Sequence, residues 1–185
     1  MALSKRIVLG SGDLYLMAFN GTLPEVTDVC KDENMFGYIS GGATLEYKPT
    51  FYDAKDDLGR VIKTIITDEE ATLKSGVLTF NGDALEKLCD TARVTTSGTQ
   101  KIVKFGGINN AKRAQYVICF HHKDPVDGDI WVIIVGKNQA GFSLAFAKDK
   151  ETVIDAEFKA LAQDDEGTLI KYIEEIKTAT QATEE

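Results

Sequence analysis

The chain is poor in the side chains that most chemistry uses. Of its 185 residues, two are histidine, three are cysteine, three are proline and one is tryptophan. His121 and His122 are adjacent, and adjacent residues on a strand point to opposite faces. They therefore cannot grip one metal ion together, and they read as half-exposed histidines at a strand end. Cys30, Cys89 and Cys119 are odd in number, far apart and form no C-x-x-C, which argues against a zinc site or a disulfide framework. They read as reduced thiols of a protein folded in cytoplasm. Gly10-Ser11-Gly12 and Gly106-Gly107 lack the strand-to-helix setting and the Lys-Ser/Thr of a phosphate loop. There is no G-x-S-x-G elbow to support a Ser-His-Asp triad. Cys119 and His121 share a strand face, a spacing that is more often packing than a nucleophile and its base. No run approaches the roughly 20 apolar residues of a membrane helix, and Gly, Ser and Asp interrupt the apolar start, so no secretory leader is recognisable. Basic residues are outnumbered 21 to 29, a formal charge of −8. That excludes the basic footprint of ordinary nucleic-acid binding, though not a surface that DNA slides past.

What the chain does have is β-strand pattern. Ala43, Leu45, Tyr47, Pro49 and Phe51 alternate with Thr44, Glu46, Lys48 and Thr50, giving one apolar and one polar face. A polar connection, Tyr52 to Gly59, leads into a second long run, Arg60 to Phe80. Its apolar set sits on odd positions (Val61, Ile65, Ala71, Leu73) and on even ones (Ile62, Ile66, Leu78, Phe80). That mixture predicts burial on both faces or a change of face through a bulge, placed near Ser75-Gly76.

Further strands are expected at Arg6–Leu9, Leu14–Phe19, Lys101–Phe105, Gln115–His122, Ile130–Gly136 and Phe142–Ala147. Alternation favours another at Val153–Ala162, and Leu169–Ile176 fits a strand or a helix. Asp124 to Asp129 reads as a hairpin turn with Asp127-Gly128 supplying the positive φ. Asp83, with Glu86 three residues on, reads as the N-cap of a short helix over 84–91. Asn20 to Gly37 is a long polar connection, of a length that is usually functional or mobile. The aspartates of Asp53, Asp56 and Asp57, and of Asp124, Asp127 and Asp129, lack the alternating ligands and terminal Glu of an EF-hand and read as solvated turns. The expectation is one mainly β domain over 1–176, a β-sandwich or barrel with one flanking helix, and a flexible tail over 177–185.

The order of these elements, with Ile39-Ser40-Gly41-Gly42-Ala43-Thr44-Leu45-Glu46-Tyr47 and the stretch DEEATLKSGVLTFNG from Asp68 to Gly82, resembles the tail tube (major tail) proteins of tailed bacteriophages, most closely the siphophage type. The resemblance spans about Gly12 to Ile176. It implies a structural protein of the virion, assembled in host cytoplasm, without enzymatic activity, metal or cofactor. Homohexameric rings would stack into a hollow tube for genome passage, in contact with tape measure, tail tip and tail terminator proteins and with no membrane. It further implies that Thr44, Glu46, Lys48 and Thr50 line the lumen, complemented by Thr64, Thr67, Asp68, Glu70 and Thr72. Ala43, Leu45, Tyr47 and Phe51 would then face the subunit core. An acidic, polar lumen would repel phosphates. Val26, Val29, Met35 and Phe36 would be inter-ring contacts or would pack on their own subunit. A contractile-tail or R-type bacteriocin tube is the neighbouring reading. A small-ligand-binding β-barrel is the reading from another class, and a hydrolase lacks any nucleophile context.

Overall fold

A computed structural model of the chain describes residues 8–78 and 81–177. Thr79 and Phe80, most of the expected tail and Arg6–Ile7 of the expected first strand lie outside them. The described elements follow in chain order: β1 (Asp13–Ala18), α1 (Val26–Val29), β2 (Met35–Gly37), β3 (Ile39–Lys55), β4 (Val61–Val77), α2 (Gly82–Leu88), β5 (Arg93–Ser97), β6 (Gln100–Lys104), β7 (Tyr116–His122), β8 (Ile130–Asn138), β9 (Ile154–Leu161) and β10 (Lys171–Glu174). The fold is mainly β. Every strand except β5 and β6, which pair only with each other, belongs to one antiparallel sheet of order β2-β1-β7-β8-β9-β4-β3, with β10 beside β8.

That sheet closes on itself. β2 and β3 are one continuous segment separated by Tyr38 alone. Met35–Gly37 pairs with β1, and Ile39–Ser40 pairs with Gly76–Val77 of β4. Between them, the Tyr38 carbonyl accepts the Leu78 N–H at 2.8 Å. The two ends of the sheet are therefore the same stretch of chain, and β1, β7, β8, β9, β4 and the β2–β3 segment form a ring of strands. Closure removes two sheet edges.

Strand alternation sorts the side chains into two apolar clusters. One holds Leu14, Leu16, Leu73, Ile118, Ile134 and Phe158, with Ala84, Leu85 and Leu88 of α2. The other holds Tyr15, Val29, Val117, Cys119, Ile133 and Val135, with Val26 and Cys30 beside it. α2 spans 82–88 instead of 84–91, and its cap is Asn81 instead of Asp83. The Asn81 side-chain oxygen accepts the N–H groups of Asp83 and Ala84 at 3.0 and 2.9 Å, satisfying donors that the first turn leaves open. Asp83 instead pairs with Lys101 at 2.6 Å.

Three further expectations change. Val8–Leu9 and Phe142–Ala147 are not strands; Phe142 packs on the first cluster as part of an irregular segment and meets Phe105 at 4.8 Å. The Asn20–Gly37 connection holds α1, a 3₁₀ turn (Asp32–Asn34) and β2. Both histidines are buried rather than half-exposed.

Candidate functional site: a projecting two-stranded arm

β3 and β4 are each 17 residues long, roughly 55 Å at the rise of a strand. Only Thr72–Val77 of β4 pairs with β9. From Ala71 outward to the turn, β3 and β4 pair with no strand but each other among the described residues. Val61–Glu70 is exposed throughout, whereas Ala71, Thr72 and Leu73 are buried. The hairpin is thus anchored in the barrel at one end and projects from it at the other. Asp56 fixes its tip by accepting the N–H groups of Leu58 and Arg60 and the Arg60 Nε–H. The Arg60 N–H, before the burial that opposes it, holds the Asp56 carboxyl below its ordinary range.

Register decides which residues share a face, because directly opposed residues point the same way. Thr44, Glu46, Lys48 and Thr50 oppose Lys74, Thr72, Glu70 and Asp68. Of the expected set, Asp68, Glu70 and Thr72 therefore lie with the β3 polar residues. Thr64 does not: it opposes Asp53 on the other face and donates to it at 2.6 Å. The cause is a bulge. Thr50 pairs with Asp68 but Phe51 pairs with Ile66, so Thr67 is an extra residue and donates to the Thr50 carbonyl at 3.2 Å. Beyond it, β4 has changed face. A second irregularity opposes Gly41-Gly42 to the Ser75–Gly76 step, the place expected from sequence. The extra residues are on β3, at φ of 77° and 74°, which glycine adopts without a Cβ penalty.

The polar face is a patchwork of both charges, where an acidic one was expected. The Glu46 carboxylate meets Lys48 at 3.1 Å and Lys74 at 3.3 Å, and Lys74 reaches Glu157 of β9 at 3.7 Å. Lys159 pairs with Glu70 at 3.3 Å. Lys48 and then Lys74 hold the Glu46 carboxyl below its usual range, and Glu46 raises the Lys74 ammonium in turn. Thr72 lies between these bridges, opposite Glu46 and Lys159, and is only 5% exposed.

The apolar face divides in the same place. Ala43 and Leu45 pack against the first cluster as expected. Tyr47 and Phe51 do not reach it: they sit beyond the end of the core, Phe51 at 56% exposure. The Tyr47 hydroxyl donates to Glu69, which raises its pKa. Past the bulge each face carries an apolar pair, Phe51 opposite Ile66 on one and Tyr52 opposite Ile65 on the other. All four side chains are exposed, as are Val61 and Ile62.

Val29 and Phe36 are buried within this chain, and Val26 packs against the second cluster. Met35 alone of that expected set remains exposed. Elsewhere, His121 Nε2 lies 2.7 Å from Asp129 Oδ2, and the ring stacks on Trp131. The His122 Nδ1 lies 2.7 Å from the Ser11 carbonyl. Asp124 accepts the N–H groups of Val126 and Asp127. Among the described residues, no group of three His, Cys, Asp or Glu side chains is placed to hold a metal, and no helix is long and apolar enough to cross a membrane. The search for similar proteins returns no matching family model and no matching curated protein.

Proposed function

We propose that this chain is a structural subunit that polymerises through its β3–β4 arm, as a tail tube protein of the siphophage type. The observation that carries this reading is the arm itself. An isolated two-stranded hairpin is marginal in water, and this one has two open edges and apolar residues on both faces. Long exposed edges are an aggregation hazard that proteins normally blunt. Pro49 blunts one of them, since it offers no N–H to an incoming strand, but the β4 edge from Val61 to Ala71 contains no proline. An arm from each neighbouring copy would satisfy these edges in a closed ring, and homohexameric rings would stack into a hollow tube.

In such a ring, the face bearing Thr44, Glu46, Lys48, Thr50, Asp68 and Glu70 lines the channel. Its alternating charges offer phosphates no continuous basic track, so DNA passes without binding. The subunit would carry no catalytic group, metal or cofactor. Its partners would be copies of itself and the tape measure, tail tip and tail terminator proteins of a virion. The barrel interior is occupied by Phe158, Leu14, Leu16 and Leu73, which disfavours a ligand-binding barrel.

Electron microscopy and sedimentation of the concentrated protein test the reading. Hollow rods or rings are expected. A protein that stays monomeric to its solubility limit, with arm amides as protected from hydrogen exchange as those of β7, would overturn it.

A further inference from the structure

The Cys30 and Cys119 side chains, 89 positions apart in sequence, bring their sulfurs to 3.6 Å of one another. Cys119 belongs to the second apolar cluster and Cys30 packs against it, so they are unequal. Cys119 lies in the middle of β7, fully buried and held between β1 and β8. Cys30 closes the four-residue α1, donating its N–H to the Val26 carbonyl, and is partly open to solvent. Bond formation needs the sulfurs to approach by about 1.5 Å. The movement falls on the connection around α1 because β7 is fixed on both sides.

We propose that Cys30 and Cys119 form a redox site that reacts with low-molecular-weight disulfides such as oxidised glutathione and closes to an intramolecular disulfide. The accessible Cys30 thiolate attacks one sulfur of the small disulfide, giving a mixed disulfide and releasing one thiolate, which is protonated. The Cys119 sulfur then attacks the Cys30 sulfur and expels the second small thiolate, which takes up the Cys119 proton. Two protein thiols are oxidised, and one small disulfide is reduced to two thiols. The order follows from access, and electrostatics supports it. A hydrogen bond from Cys119, above all, and the nearby Lys123 favour the Cys30 thiolate, whereas the same contact and burial raise the Cys119 thiol. The product ties the α1 connection covalently to the barrel wall. This site stands independently of the assembly reading.

The third thiol is a built-in control. Cys89 sits elsewhere, its sulfur 3.6 Å from the Thr91 hydroxyl. The test is to incubate the folded full-length chain with oxidised glutathione, then alkylate and measure intact mass and non-reduced peptides. The expected product has lost two hydrogens, contains a Cys30–Cys119 cross-linked peptide and retains one alkylatable thiol, Cys89. Cys119→Ser should stop at the first step and gain the mass of one glutathione on Cys30, while Cys30→Ser should leave Cys119 unreacted. Hydrogen exchange over residues 20–37 should slow in the oxidised protein. Three alkylatable thiols after oxidation, a cross-link through Cys89, or a Cys119→Ser protein whose Cys30 takes up no glutathione would each overturn the proposal.

Discussion

Replacing Phe51 by serine separates the stability of the subunit from the stability of its assembly. Phe51 is 56% exposed, and a phenylalanine side chain presents on the order of 150–250 Å² when fully free. About 110 Å² is therefore available for burial by a neighbouring copy, roughly 2–3 kcal/mol per contact at about 25 cal/mol per Å². That is about a 30–150-fold rise in the concentration needed to assemble. Within the monomer the variant loses only its cross-strand contact with Ile66, about 0.2–1 kcal/mol, or at most ~4 °C in melting temperature for a chain of this size. Phe158→Ala is the matched control. Phe158 is fully buried, so its loss should cost about 3–5 kcal/mol. The measurements are thermal melts of the dilute protein and rod or ring formation against concentration. The reasoning fails if Phe51→Ser melts as low as Phe158→Ala, or if it melts normally and assembles at the concentration of the unaltered protein.

Three further perturbations probe the local arguments. Asn81→Ala should cost about 1 kcal/mol in chemical denaturation by removing the α2 cap, while Asp83→Ala loses only an exposed ion pair and should cost at most about 1 kcal/mol, the smaller of the two. Gly41→Ala forces a Cβ into the left-handed region and should destabilise by about 1–2 kcal/mol, a loss that glycine restored at the position reverses. The lowered Glu46 carboxyl contributes stability that is complete above the ordinary glutamate range and disappears as the pH falls through its own lower value. In Lys74→Met, an NMR titration of Glu46 should move upward toward the ordinary value; an unchanged midpoint would show that Lys48 alone holds it.

Much of this architecture is written in local pattern. Alternation over Ala43–Phe51 predicts a strand, and over Val153–Ala162 favours one, because period-two burial is a local property. The same signal cannot say where burial stops. Tyr47 and Phe51 continue the apolar face of Ala43 and Leu45 without a break, yet the core ends beneath Leu45, and only the position of β9 along β4 sets that limit. Thr67 illustrates a second gap: one extra residue reverses every β4 side chain between it and the tip of the arm, and nothing in its own identity marks it. Asp83 hides Asn81, since both are good caps; the helix starts earlier, at Gly82, which lies so close to β6 that a Cβ would meet Lys101 Cδ at 2.7 Å. Phe142–Ala147 reads as a strand from its apolar content, yet Phe142 is held by packing on the first cluster and on Phe105 and the segment stays irregular. Cys30 and Cys119 meet through tertiary folding, which spacing rules for cysteine do not register.

The continuity of β2 and β3 through Tyr38 also fixes a mechanical route. The seam of the barrel and the projecting arm are one uninterrupted backbone, so a pull on the tip of the arm is delivered directly to the strand lying between β1 and β4. The turn at 56–60 joins β3 to β4, so the pull draws both strands the same way, and the β1–β2 and β4–β9 pairings resist it in shear, several hydrogen bonds together instead of one at a time as in peeling. An arm stretched between neighbours would therefore be held by the six β4–β9 pairs from Thr72 to Val77 and by the shorter β1–β2 pairing, and it would slip from the barrel only if both failed together.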